Sequence, residues 1–255
     1  MKKIIFSISF GIILFSCKKE YTTPASKSCL DVVYFDTSYI VPGSGYQQIF
    51  SFNSDNKLYK KIDMDGATVI SADSFAYSNG NMVKSWYSLS GDISHSYTTS
   101  EYDYSGSLLI ASRYLLGGSL VGHCVFTNDS LARIISITEY TDDGTYNPTV
   151  ALKVNLNYDA NSNLQTAVND AGTVVYSYKN YDNKPNPFYK LPFDWSFDIF
   201  QSFTKYFSKN NQLSPADNSG EDYSYTYDTK DRPIKILRYS RGTLQDRIQI
   251  TYKCD

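Results

Sequence analysis

The feature that most constrains this chain is a hydrophobic period of two. Over 152–158, Leu152, Val154, Leu156 and Tyr158 alternate with Lys153, Asn155 and Asn157. Over 247–253, Ile248, Ile250 and Tyr252 alternate with Arg247, Gln249, Thr251 and Lys253, and Tyr223, Tyr225 and Tyr227 alternate with Ser224 and Thr226. Successive side chains of a strand point to opposite faces, so each run describes a strand with one apolar and one wet face. Between such runs stand Ser-Asp-Asn, Ser-Asn-Gly-Asn, Asp-Asp-Gly and Ala-Asn-Ser-Asn. These residue types tolerate left-handed backbone or bond their own main chain, so they read as hairpin turns.

The runs also resemble one another. An aromatic at a strand end, a polar turn, and then Leu, Met or Pro opening the next strand recur at Phe52–Leu58, Tyr77–Met82, Tyr102–Leu108, Phe126–Leu131, Tyr158–Leu164 and Tyr227–Pro233. Repeats of this length are the mark of stacked supersecondary units, here one hairpin each. The predicted fold is mainly β: a single domain over 29–255, built as an antiparallel, curved or partly rolled meander of repeated hairpins. One segment departs from the period. Trp195, Ile199, Phe203 and Phe207 fall four residues apart, which predicts one short helix over 195–207 with its apolar face on the sheet.

The N-terminus carries a different message. Lys2 and Lys3 precede an uncharged apolar run from Ile4 to Phe15, and Ser16-Cys17 ends it. That is the layout of a cleavable secretory signal, and the run is too short for the ~20 residues a spanning helix needs. A small residue directly before a cysteine resembles a lipobox. Residues 1–16 are therefore expected to be a lipoprotein signal peptide and Cys17 the lipidation site, its acyl chains holding the protein to a membrane. Residues 17–28, small and polar after Lys18-Lys19-Glu20, are expected to be the lipidated cysteine and a flexible tether.

Composition narrows the partners. The formal net charge is −2 and no basic patch or Arg run is visible, so nucleic acid is not an expected partner. The chain holds 24 tyrosines and 14 phenylalanines; tyrosine suits half-buried sheet faces and is also a stacking surface for sugars. Apart from Cys17, the cysteines are Cys29, Cys124 and Cys254, so at most one internal disulfide can form. Cys29 and Cys254 are the candidate pair; joining them requires the two ends of the folded region to lie within about 7 Å at Cα.

Several of these residues carry a resemblance. The copies beginning Tyr-Asp resemble the YD repeats of RHS-type proteins, which build curved β sheets. The chain is more closely similar to a broad group of Bacteroidota lipoproteins with such hairpin repeats. Three elements carry the likeness: Tyr181-Asp-Asn-Lys-Pro-Asn-Pro-Phe188, then Ser208-Lys-Asn-Asn211, then a Tyr-x-Tyr-x-Tyr-Asp hairpin from Tyr223 to Asp228 leading into Pro233-Ile-Lys-Ile. The likeness is specific over 176–240 and rests on the hairpin rhythm alone over 46–175. It implies a curved antiparallel sheet on an outer-membrane, lipid-anchored protein, periplasmic or surface-exposed. It transfers no catalytic residue.

Candidate chemistry is sparse. No Gly-x-Ser-x-Gly, His-Glu-x-x-His, P-loop or dinucleotide fingerprint appears, and the Cys and His spacing makes no zinc site, so no metal or cofactor is expected. His123 and Cys124 are adjacent and would point to opposite faces of a strand. The segment around Tyr181 and Phe188, rich in proline and asparagine, serves either to end the sheet or as a ligand-facing ledge of Tyr181, Phe188, Tyr189 and Trp195. The expected function is a non-enzymatic binding or scaffold module of the envelope, with a glycan or another envelope protein as ligand. The alternative is a polysaccharide hydrolase using an unidentified carboxylate pair.

Overall fold

The computed structural model describes residues 27–36, 46–55, 57–89, 98–142, 148–189, 206–215 and 221–252, with 27–36, 46, 179, 215 and 246 described by backbone alone. These residues form sixteen strands: β1 (Lys27–Asp36), β2 (Tyr46–Phe52), β3 (Leu58–Asp65), β4 (Thr68–Ser78), β5 (Asn81–Leu89), β6 (Thr98–Ser105), β7 (Leu108–Leu116), β8 (Ser119–Asn128), β9 (Ile134–Thr141), β10 (Thr149–Tyr158), β11 (Leu164–Asn169), β12 (Val174–Pro185), β13 (Asn210–Pro215), β14 (Glu221–Tyr227), β15 (Pro233–Ser240) and β16 (Thr243–Tyr252). The mainly β antiparallel meander expected from the period of two is what forms, with essentially no helix among the described residues. Of the helix expected over 195–207, residues 195–205 lie outside the described residues, and Tyr206 and Phe207 have helical backbone.

One sheet joins all sixteen strands in the order β13-β12-β11-β10-β9-β8-β7-β6-β5-β4-β3-β2-β1-β16-β15-β14. Every strand lies beside its sequence neighbours except β13 and β14, and one further pairing joins strands distant in sequence. β1 pairs with β16, Leu30 opposite Tyr252, which brings the first and last strands side by side. β13 and β14, consecutive in sequence, are the two edges of the sheet. The meander is therefore rolled until its edges approach, yet no backbone ladder closes it. Side chains bridge this seam instead. The Tyr225 hydroxyl donates to the Gln212 carbonyl at 2.7 Å, the Tyr227 hydroxyl donates to the Asp182 carboxylate, and Lys184 Nζ lies 2.7 Å from Asp231 Oδ1.

The inner face of the roll holds the core. On β10, Val154 and Leu156 are buried while Lys153, Asn155 and Asn157 are exposed, so the alternation in sequence is the alternation between faces. Phe50, Phe75, Tyr102, Phe126, Ile137 and Ile250 extend this core across the strands, and Phe188 and Phe207, from the connection between β12 and β13, enter it. One inner row is polar. Asp63 accepts from Gln48 Nε2 at 2.9 Å and from Ser71 Oγ at 2.8 Å, and Lys61 Nζ lies between Asp63 and Asp73 at 3.2 and 3.0 Å. Burial disfavours the Lys61 ammonium, but the two carboxylates outweigh it and hold the Lys61 pKa above its usual value.

A repeated irregularity gives one end of the sheet its form. The pairs Phe52–Leu58, Tyr77–Met82, Tyr104–Leu109, Asn128–Ile134, Tyr158–Leu164 and Tyr227–Pro233 each follow a one-residue register shift at the mouth of a hairpin. Such bulges increase local twist and re-aim the side chain beside them. Two of the six expected copies sit differently along the chain: Tyr104–Leu109 and Asn128–Ile134 take the places expected for Tyr102–Leu108 and Phe126–Leu131. Tyr102 and Phe126 are core residues two positions earlier on the same face, and Leu131 is an exposed turn residue. A two-residue offset preserves the face, so the alternation alone does not distinguish them.

Candidate functional site: the cavity at the bulged hairpin ends

The bulged residues build a regular bonding pattern. Tyr77 donates its hydroxyl to the Leu58 carbonyl at 2.7 Å, Tyr158 to that of Ile134 at 2.8 Å, and Tyr252 to that of Pro233 at 3.1 Å. Asn128 makes the equivalent bond to Leu109 through Nδ2 at 2.8 Å. Each side chain thus reaches from one hairpin to the residue opening the second strand of the adjacent hairpin, and satisfies that residue's carbonyl. Burial pushes the pKa of the Tyr77, Tyr158 and Tyr252 phenols above the usual value, so they remain protonated donors.

The turns beyond them are equally repetitive. Asp129, Asp159 and Asp228 each follow a strand end and accept backbone N–H bonds from the residues two and four positions on, at 2.8 to 3.0 Å. Arg133 and Arg232 then close onto Asp129 and Asp228. Although desolvation opposes it, bonding to the backbone and to these arginines lowers the carboxyl pKa of Asp129 and Asp228. The Asp of the Tyr-Asp copies is therefore a turn residue whose carboxylate is already occupied. The fourth residue of each turn is left-handed: Ala132, Ser162 and Asp231 have φ of 58, 66 and 61°.

Successive hairpin ends line a half-enclosed cavity of about 520 Å³, within the usual size of a small-molecule site. Its apolar walls include Leu58, Met82, Leu109 and Ile134, and its aromatic walls include Tyr77, Tyr104, Tyr158, Tyr189 and Tyr206 with Phe52 and Phe207. Asn81, Asn128, Lys57 and Arg133 supply the main polar groups. Asn81 and Asn128 each spend Nδ2 on a carbonyl of a neighbouring hairpin, at 2.7 and 2.8 Å. Arg133 is committed: Nη2 lies 2.6 Å from Asp129 Oδ2, its guanidinium stacks 4.7 Å from the Tyr158 ring centroid, and Nη1 reaches Ser162 Oγ. Lys57 is different. Its ammonium lies 5.3 Å from the Tyr77 ring centroid, and it makes no ion pair among the described residues. The half-buried Tyr104 hydroxyl likewise has no hydrogen-bond partner among the described residues, and burial raises its pKa. No Asp or Glu is among the described residues that line the cavity.

The residues singled out in sequence fall in several places. Tyr189 lines the cavity. Phe188 is buried in the core, 6.1 Å from the Phe50 ring. The Tyr181 hydroxyl donates to the Leu164 carbonyl and accepts from Ser208 Oγ, and its pKa is raised chiefly by burial. Cys17, Trp195 and Cys254 lie outside the described residues, and Cys29 stands on β1 with only its backbone described. Cys124 is a buried residue of β8 that forms no disulfide among the described residues. Among the described residues, no group of three His, Cys, Asp or Glu is placed to hold a metal. Lys57, Asn81 and Tyr104 were not singled out in the sequence. The only signal for them was their common place at the hairpin mouths of successive repeats.

The three elements that carry the family likeness meet at the seam. Asp182 accepts from the backbone N–H groups of Lys184 and Asn211 at 2.9 and 3.1 Å, from Asn211 Nδ2, and from the Tyr227 hydroxyl. Asn186 Nδ2 donates to the Ser208 carbonyl, and Ser208 Oγ accepts from the Leu164 N–H. Asn210 N donates to Asn163 Oδ1 at 2.8 Å.

No protein-family model and no curated protein matches the chain. Among solved structures, the chain is similar to a porin-like protein from Bacteroides uniformis, with 14% identity and a TM-score of 0.57 over 88% of this chain and 97% of that one. A porin-like protein from Bacteroides vulgatus aligns at 15% identity and a TM-score of 0.41, over 87% of this chain and 97% of that one. The Tc holotoxin pore of Photorhabdus luminescens aligns at 15% identity and a TM-score of 0.22, over 79% of this chain and 9% of that one. The first of these likenesses shows a shared fold.

Proposed function

We propose that the chain is a lipid-anchored protein of the bacterial envelope that binds a saccharide, without transforming it, in the cavity at its bulged hairpin ends. The observation that carries this reading is the lining: tyrosine faces and amide side chains around a half-enclosed space, with no carboxylate among the described lining residues. Saccharides are held by their C–H faces on aromatic rings and by their hydroxyls on amides and phenols. A glycoside hydrolase needs two carboxyl groups about 5 to 10 Å apart across the bond it cleaves, and the described lining residues supply neither. Of the carboxylates that the fold does bring together, Asp63 and Asp73 are buried and bound to Lys61, and Glu101 and Asp103 both pair with Arg113.

The signal at 1–16 and Cys17 support attachment through lipid, and the fold shared with a porin-like protein of a Bacteroides species agrees with an envelope address. The outward face of the sheet argues against a pore in the bilayer. Lys153, Asn155 and Asn157 on β10 and Asp222, Ser224 and Thr226 on β14 are exposed, where a transmembrane strand presents an apolar band to lipid. A glycan array probed with the Cys17→Ser protein tests the binding claim: signals on a subset of glycans are expected, and a flat array removes it. The same substitution should move the protein from the membrane to the soluble fraction of cells; unchanged fractionation overturns the anchor.

A further inference from the structure

The charge of the cavity points to a narrower ligand class. Among the described residues, the only charged ones lining it are Lys57 and Arg133, and both are cations. Arg133 is neutralised by Asp129 at 2.6 Å. Lys57 has no carboxylate partner among the described residues, whereas Arg133 and Arg232, in equivalent bulged turns, are held by Asp129 and Asp228. The turn fixes its backbone, because Lys57 N donates to Asn53 Oδ1 at 3.0 Å and Asn53 N donates to the Lys57 carbonyl at 2.9 Å. Its ammonium passes over the Tyr77 ring and beside Gly80. Tyr104, on the neighbouring hairpin, adds a hydroxyl donor without a protein partner among the described residues.

An ammonium held in a half-enclosed, largely apolar space is best satisfied by an anion delivered with the ligand. We infer that the saccharide is acidic: a uronic acid whose carboxylate accepts from Lys57 Nζ and whose ring lies against the tyrosine wall. This rests on the saccharide reading above and adds the charge that reading leaves open. The Asn81 and Asn128 side chains keep their Oδ1 atoms as acceptors for sugar hydroxyls, because their Nδ2 groups are already bonded to the protein.

The test is calorimetric titration of the full-length protein in detergent with digalacturonate and with its dimethyl ester, which has the same ring shape without the charge. The acid should bind about tenfold more tightly than the ester at low salt, as expected for one charge-assisted hydrogen bond, and the difference should shrink as salt is raised. Lys57→Gln should bring the acid down to the affinity of the ester, whereas Lys153→Gln, on the outer face of β10, should preserve the preference. Equal affinity for acid and ester overturns the inference and leaves saccharide binding standing. Binding of neither, together with a flat glycan array, overturns both.

Discussion

The seam and the cavity are built from the same kind of hairpin and use their polar groups in opposite ways. At the seam, Asp182, Asn186, Ser208, Asn210 and Asn211 spend their side chains on one another and on main-chain groups, and tyrosines from β14 close onto them. At the cavity, Lys57 and Tyr104 have no such partners among the described residues. The sharpest motifs in the sequence therefore mark where the rolled sheet is fastened, while the diffuse hairpin rhythm marks where the cavity lies. A motif of Asn, Asp and Pro with aromatics is as well suited to satisfying a broken ladder as to gripping a ligand. Only the geometry separates the two uses.

Alkaline pH should separate the regions most strongly. Tyr181, Tyr223 and Tyr225 belong to the strands flanking the seam, and burial raises the pKa of all three phenols. Their contribution is fully present below the unfolded value near 10 and is lost as pH rises above it, because the unfolded chain ionises first. Each should cost about 1.4 kcal/mol for every pH unit above 10 until its folded-state pKa is reached. Urea melts between pH 9 and 11 should show this fall, and a flat profile would contradict the burial of these hydroxyls.

Asp182→Ala should come next, with a loss of about 3 kcal/mol, because it removes a charged acceptor and strands its donors. Under conditions where the variant is folded, its saccharide affinity should equal that of the parent. A fall in affinity would mean that the seam and the cavity are one system. Tyr158→Phe changes the cavity wall itself. Leaving the Ile134 carbonyl without its partner should cost about 1 kcal/mol in a denaturant melt. Ala132→Gly should give the smallest effect. Its φ of 58° strains alanine, but glycine's greater freedom in the unfolded chain offsets most of the relief, so the gain should stay below about 0.5 kcal/mol.

The alternation of Leu152 to Tyr158 and of Tyr223 to Tyr227 was enough to read strands, faces and an antiparallel meander, because a period of two admits little else. The turns at Asn79-Gly80 and Asp159–Asn163 were legible for the same local reason. The pairing of β16 with β1 was not, since nothing local records which distant strand a hairpin will meet. The bulge register was lost at Tyr104 and Asn128, where a neighbouring core aromatic on the same face imitates the expected one. Of the proposed ledge, Tyr189 reaches the cavity while Tyr181 and Phe188 are held by protein partners. Lys57 was invisible as a candidate, because a lysine in a polar turn looks like any solvated charge until the turns of distant hairpins are stacked.

The most direct test of the cavity as the binding site is an amide titration of protein labelled with 15N-glycine. Gly80 lines the cavity and the Gly106 carbonyl accepts from the cavity residue Asn81. Gly66, Gly117, Gly118 and Gly242 occupy turns at the opposite end of the sheet. Addition of digalacturonate should shift the Gly80 and Gly106 signals and leave the other four in place. Shifts confined to Gly66, Gly117, Gly118 or Gly242, or no shift at Gly80 with a saccharide shown to bind, would contradict the placement of the site.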